Sequence, residues 1–173
     1  MKNEMLHELM NGFSKGKAVG MAHSILNDIE SMNEILSYCK LNEPKLSARA
    51  SWVFQEMIKL KHPINSSQLR LVIDLLQHSS IDGVKRNFLS ALQLLEIPEE
   101  VIGELSDYCF SVLVSSKETV AVKVYAMQIA ANACKRYPEL KSELLSCIEL
   151  EMSKNTIAFF ARAKRVRKEL ELI

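Results

Sequence analysis

At 173 residues, with 22 Lys+Arg against 21 Asp+Glu and a formal net charge of +1, the chain has no overall electrostatic pull toward nucleic acid or an anionic membrane. It is 48% apolar and 25% charged, an ordinary globular composition, and five glycines and four prolines are too few for a fold built on β-turns. That length predicts one domain over 1–173, and no apolar run approaches the ~18 residues that cross a bilayer.

In chain order, MKNEMLHELMNGF is broken by charges and lacks a signal-peptide core, so a cytoplasmic protein is expected. GFSKGKAVG (12–20) has two spaced glycines before a lysine, but the spacing is one residue short for a phosphate loop and Ala18 stands where a hydroxyl is needed. It reads as a helix-initiating turn. Segments 15–29 and 31–41 read as a degenerate helix pair. A helix led by Ala48-Arg49 follows, then one marked by Leu69, Val72, Ile73 and Leu76, with Ser66 or Ser67 as its cap. In 84–95 the apolar face is Val84, Phe88, Ala91, Leu92 and Leu95. The helix over 98–114 carries Ile102, Leu105, Cys109 and Val112, with Pro98 in its first turn. Val122, Ala126, Ile129, Ala130 and Ala133 mark the next helix, and one started near Pro138 carries Leu144, Leu145, Ile148 and Met152. The last runs over 157–171. Short breaks such as KHPIN, SSID, EIPEE and RYPEL separate them and force antiparallel neighbours.

A period emerges. Arg49, Lys85, Lys123 and Arg162 each lie at the start of a helix, 36, 38 and 39 residues apart. Two helices per such interval is the mark of an α-solenoid, because one helix pair cannot bury its own apolar face and stacked pairs can. The expected fold is all-α, a right-handed solenoid of antiparallel pairs. Its units are a degenerate pair at about 15–43, repeats at about 45–80, 81–118 and 119–156, and a capping helix at 157–171. The five cations of RAKRVRK (162–168) suit a solvated cap, or a local contact for an anionic partner.

VKRNFLSAL and VKVYAMQIA, and more loosely ARASWVFQE and FARAKRVRK, resemble HEAT repeats, whose second helix opens on a Val-Arg pair before small apolar positions. The resemblance covers about 15–171 and is nearest to a group of short, uncharacterised bacterial HEAT-like proteins. Some of that group carry the label adenylosuccinate lyase. Such lyases are far longer and have a serine-rich loop SSxMPxKxN that supplies the catalytic base. SSKET and SSQLR lack the Met-Pro-x-Lys continuation, so no catalytic residue is carried over.

The resemblance implies two roles for the cations. As struts they would pair with Glu43, Asp82 and Glu118, which lie shortly before Arg49, Lys85 and Lys123. As a ligand surface, Arg49, Lys85, Arg86, Lys123 and Arg162 would line one concave groove, with Trp52 and Tyr125 adding apolar contact to an acidic peptide. The expectation is a non-enzymatic scaffold for a protein segment. The alternative is a nucleic-acid binder, since a HEAT-like family of DNA alkylpurine glycosylases shares the architecture.

No catalytic residue, metal site or cofactor is assigned. His7, His23, His62 and His78 never fall at i, i+4, and Asp107 and Cys109 point to different sides of their helix. Cys39, Cys109, Cys134 and Cys147 form no CxxC pair and are read as reduced thiols on helix cores.

Overall fold

The computed structural model describes residues 2–172, with side chains from Glu4 onward. Those residues form ten α-helices and one 3₁₀ turn, with no strand among them. They divide into two compact units between Leu95 and Glu96.

The first unit holds α1 (Lys2–Met10), α2 (Lys15–Ser24), α3 (Ile29–Lys40), α4 (Pro44–Lys59), α5 (Ser66–His78) and α6 (Asp82–Leu92). Helix α1 has no counterpart in the sequence reading. Its Met5 and Leu9, four residues apart, are buried on one side and hold it to the unit. The turn before α2 forms as expected, with the Ser14 hydroxyl accepting from the Lys17 amide. Helix α5 is capped by Asn65, not by Ser66 or Ser67. Asn65 and Gln68 exchange side-chain and backbone bonds of 2.9 and 3.0 Å, and that reciprocal box selects the residue three before Gln68. Helix α4 ends in a Schellman turn. Lys61 takes φ +61°, its amide donates to Ile58 and the His62 amide donates to Met57.

Helix α4 organises this unit, packing on α1, α2, α3 and α6, while α5 packs on α3 and α6. Phe54 and Phe88 meet edge to face at 5.3 Å, both fully buried. Beside them α4 and α6 share a polar seam. Asn87 Nδ2 donates to the Ala48 carbonyl at 3.0 Å and to Ser51 Oγ at 3.1 Å, and Gln55 Nε2 donates to Ser90 Oγ at 2.6 Å. Gly83 makes this approach possible, since a Cβ there would meet Ala48 Cβ at 3.0 Å.

The second unit holds α7 (Glu99–Val114), α8 (Val120–Cys134), the 3₁₀ turn Pro138–Leu140, α9 (Lys141–Met152) and α10 (Ile157–Leu170). Pro98 stands just outside the first turn of α7, as its N-cap, and its carbonyl accepts from Val101 and Ile102. Pro138 opens the 3₁₀ turn, and α9 begins three residues later. Helix α8 packs on α7, α9 and α10 and is buried on nearly every side, from Val122 to Cys134. Helix α10 is covered on one side by α8 and α9 through Phe159, Ala163, Val166 and Leu170.

The close seam makes the first prediction. Gly→Ala in a helix usually stabilises by about 0.5–1 kcal/mol. Gly20→Ala, whose Cβ meets nothing within 4 Å, should show that gain. Gly83→Ala should instead destabilise by about 1 kcal/mol, because Ala48 Cβ is fixed to the α4 backbone and cannot yield. Urea unfolding of the two variants against wild type checks the opposite signs.

Candidate functional site

Arg49, Lys123 and Arg162 join helices. Arg49 leaves α4 and donates through Nη1 to the carbonyls of Leu9 at 2.7 Å and Met10 at 3.0 Å, closing the end of α1. Those carbonyls have no partner within their own helix, and a cation there also meets the negative end of the helix dipole. The guanidinium stacks 5.4 Å from the Phe13 ring centre, and Phe13 meets Trp52 edge-on at 5.9 Å. Trp52 in turn donates to Glu56, which also pairs with Lys59 at 2.8 Å. The expected Glu43 partner is not used, because its place at the α4 N-terminus leaves Arg49 closer to the end of α1.

Lys123 is a more marked departure. Its side chain is 5% exposed and its ion-pair partner Glu151 3%, so it does not stand at a groove edge. Lys123 Nζ binds Glu151 Oε2, Lys154 Nζ reaches Oε1 at 3.1 Å, and Asn155 Nδ2 donates to Oε2 at 3.1 Å. Glu151 on α9, and not Glu118, is therefore the counter-charge, so the bond ties α8 to α9. Burial raises the Glu151 pKa, but the bonds from Lys123, Lys154 and Asn155 outweigh it and hold the carboxyl below its ordinary value.

Arg162 on α10 donates to Gln128 Oε1 of α8 at 2.7 Å, and Gln128 Nε2 donates onward to Glu169 at 3.0 Å. Burial and the nearby charge of Arg165 lower the Arg162 pKa. Of the other expected groove residues, Arg86 is exposed, while Lys85, Trp52 and Tyr125 are half-buried. Lys85, Arg86 and Trp52 belong to the first unit, on α6 and α4. Tyr125, with Lys123 and Arg162, belongs to the second.

Each unit also carries a hollow that residue spacing did not signal. In the first, α1, α2 and α3 border an open hollow of about 280 Å³ beside Glu8, Met21 and Asp28. In the second, α7, the 3₁₀ turn and α9 border an open hollow of about 550 Å³, lined by Ile102, Phe110 and Leu140 and by the exposed Asp107, Glu139 and Glu143. Tyr137 and Arg136 close one end by binding Glu99, and that bond to Glu99 raises the Tyr137 pKa.

The four cysteines are free, with Cys39, Cys109 and Cys134 buried and Cys147 half-buried; burial pushes all four thiols up, away from reactivity. Among the described residues no group of three or more His, Cys, Asp or Glu is placed to hold a metal ion, and no helix is long and apolar enough to cross a membrane.

Paired helices with inter-helix braces at one repeated position agree with what a comparison with family models finds: a HEAT repeat domain matches residues 5–170. The chain belongs to the HEAT repeat family. The match reaches back to residue 5 and so takes in α1, beyond the expected start near 15. No curated protein and no solved structure matches the chain. Helix α3 packs on α4, α5 on α6, α7 on α8 and α9 on α10, and Arg49, Lys85, Lys123 and Arg162 lie in the first two turns of α4, α6, α8 and α10.

The braces make three predictions. Lys123→Ala should cost about 2 kcal/mol, less than the full penalty for stranding a buried charge because Lys154 and Asn155 still bind Glu151, whereas Lys123→Met/Glu151→Leu should recover most of that loss. Chemical unfolding of the single and double variants measures both. Because the folded Glu151 pKa lies below the ordinary 4.5, the pair's contribution is present above that value and lost as pH falls through the folded one; the acid-unfolding midpoint of the double variant should shift accordingly. Separately, Arg49→Ala should leave global unfolding within about 1–2 kcal/mol of wild type while amides of α1 lose hydrogen-exchange protection first.

Proposed function

We propose that this HEAT repeat protein is a non-enzymatic interaction scaffold, holding an acidic segment of another protein on the α4–α6 face of its first unit. While Arg49, Lys123 and Arg162 brace helices, what carries the reading is the exposed Arg86 of α6, which with the half-buried Lys85 and Trp52 gives the first unit a basic and aromatic surface. Helices α4 and α6 pack directly on one another through the Asn87 and Gln55 bonds, so these three side chains sit on a frame held by packing and hydrogen bonds. A rigid surface loses little entropy when a partner docks. Two cations adjacent in sequence on α6 suit a carboxylate-bearing segment, the charges setting register, and Trp52 of α4 would add contact area for an apolar residue.

The test is affinity capture from lysate of the source cells, nuclease-treated, with wild type and Lys85→Glu/Arg86→Glu as paired baits, followed by titration of the purified partner. Wild type should retain a discrete protein after nuclease, and the variant should bind it roughly tenfold more weakly or worse. Recovery that disappears with nuclease, together with duplex-DNA affinity falling steeply with salt, would replace this reading with nucleic-acid binding.

A further inference from the structure

We propose that the hollow between α7 and α9 is a second docking site with the opposite charge preference, taking a basic segment of a partner protein that carries an apolar side chain beside its lysines or arginines. This goes beyond the scaffold reading above, which concerns a different unit and different residues.

The hollow is the size of a recognition pocket, about 550 Å³. Its walls are apolar where Ile102, Phe110 and Leu140 line it. Gly103 leaves part of it open: a Cβ built there meets no neighbouring atom within 4 Å, although a glycine inside a helix costs about 1 kcal/mol against alanine. The charges come from three different elements, Asp107 from α7, Glu139 from the 3₁₀ turn and Glu143 from α9. No ion pair joins any of the three to a cation among the described residues. Glu99, the fourth carboxylate, is already held by Arg136 and Tyr137, and Arg136 also donates to the Ile97 carbonyl at 2.7 Å. That network fixes one end of the hollow and leaves its acidic margin unneutralised.

Charge decides what fits. A wholly apolar ligand would strip water from three carboxylates and return nothing for it. An acidic one would be repelled. Lysine and arginine have the matching form, since their aliphatic stems lie along apolar walls while the charged heads reach the rim. An adjacent leucine or phenylalanine then fills the space over Gly103 and beside Phe110.

Two variants separate shape from charge. Gly103→Leu fills the hollow and leaves every carboxylate in place; Asp107→Lys/Glu143→Lys reverses the rim and leaves the hollow open. The probe is a fluorescein-labelled peptide of repeated Leu-Arg-Lys units, compared with a Leu-Glu-Glu repeat and an all-lysine peptide of equal length. Wild type should bind the first and discriminate against the other two. Each variant should weaken that binding roughly tenfold or more, while Lys85→Glu/Arg86→Glu should bind it as wild type does, so this site and the acidic-segment site fail independently. Gly103→Ala should keep both binding and fold, and thermal melts establish that the charge variant is folded should Gly103→Leu not be. Unchanged affinity in the folded charge variant, or equal binding of the all-lysine peptide, would overturn the proposal. So would self-association of wild type that Lys164→Glu/Arg165→Glu abolishes together with Gly103→Leu, because the occupant would then be a second copy.

Discussion

A helix that is apolar on more than one side has to be covered on each of them, and α4 and α8 show that constraint in the two units. Each lies at the centre of its own unit. Helix α4 buries residues from Leu46 through Ile58 against α1, α2, α3 and α6. Helix α8 buries Val122 through Cys134 against α7, α9 and α10. Helix α10 by contrast buries one face and leaves the other for solvent or for partners. Phe159, Ala163 and Val166 of α10 point inward, while Lys164, Arg165 and Lys168 of the same helix are exposed.

Burial on that scale brings polar groups inside, and the braces are how they are satisfied. Asn87 finds the Ala48 carbonyl and Ser51, Gln55 finds Ser90, and Lys123 finds Glu151. Each bond crosses between helices, which makes helix register a condition of satisfying it: a shifted helix would leave a buried donor unpaired at a cost of about 1–3 kcal/mol. Apolar packing supplies cohesion with little directional demand, whereas these bonds admit one alignment. A family whose helix pairs repeat along the chain has particular need of such selection, since neighbouring pairs offer similar apolar surfaces.

The helices themselves were legible because each carries a 3.6-residue stripe, and so was their repetition, because the cation recurs at nearly constant spacing. The ends of the elements were less so. Asn65 as a cap is readable only through Gln68, three residues on, and α1 escaped because its two buried residues, Met5 and Leu9, are too few to form a stripe. The partners of the cations were out of reach for a different reason. Arg49 bonds a carbonyl 40 residues away and Lys123 a carboxylate 28 residues away, whereas spacing favours the nearest acid, Glu43 or Glu118. Helix α8 hides its lysine well, since a cation in an otherwise apolar sequence looks like the one side that faces water. The acidic rim of the second unit was equally unreadable: Asp107, Glu139 and Glu143 are scattered charges until α7 and α9 bring them together.

One signal toward that rim was present in the chain, and it is a glycine. Gly83 and Gly103 both sit inside helices, where the residue is unfavourable and so carries a reason. The reasons are opposite. At Gly83 the neighbouring helix comes so near that a methyl group would collide with Ala48, and the absent side chain lets α4 and α6 close on each other. At Gly103 nothing stands within 4 Å, and the absent side chain leaves space. The first serves the frame by permitting contact, the second leaves a hollow in the frame by withholding it. Each unit thus supplies one part that recognition requires: packed helices that do not collapse in the first, and room for a side chain from elsewhere in the second.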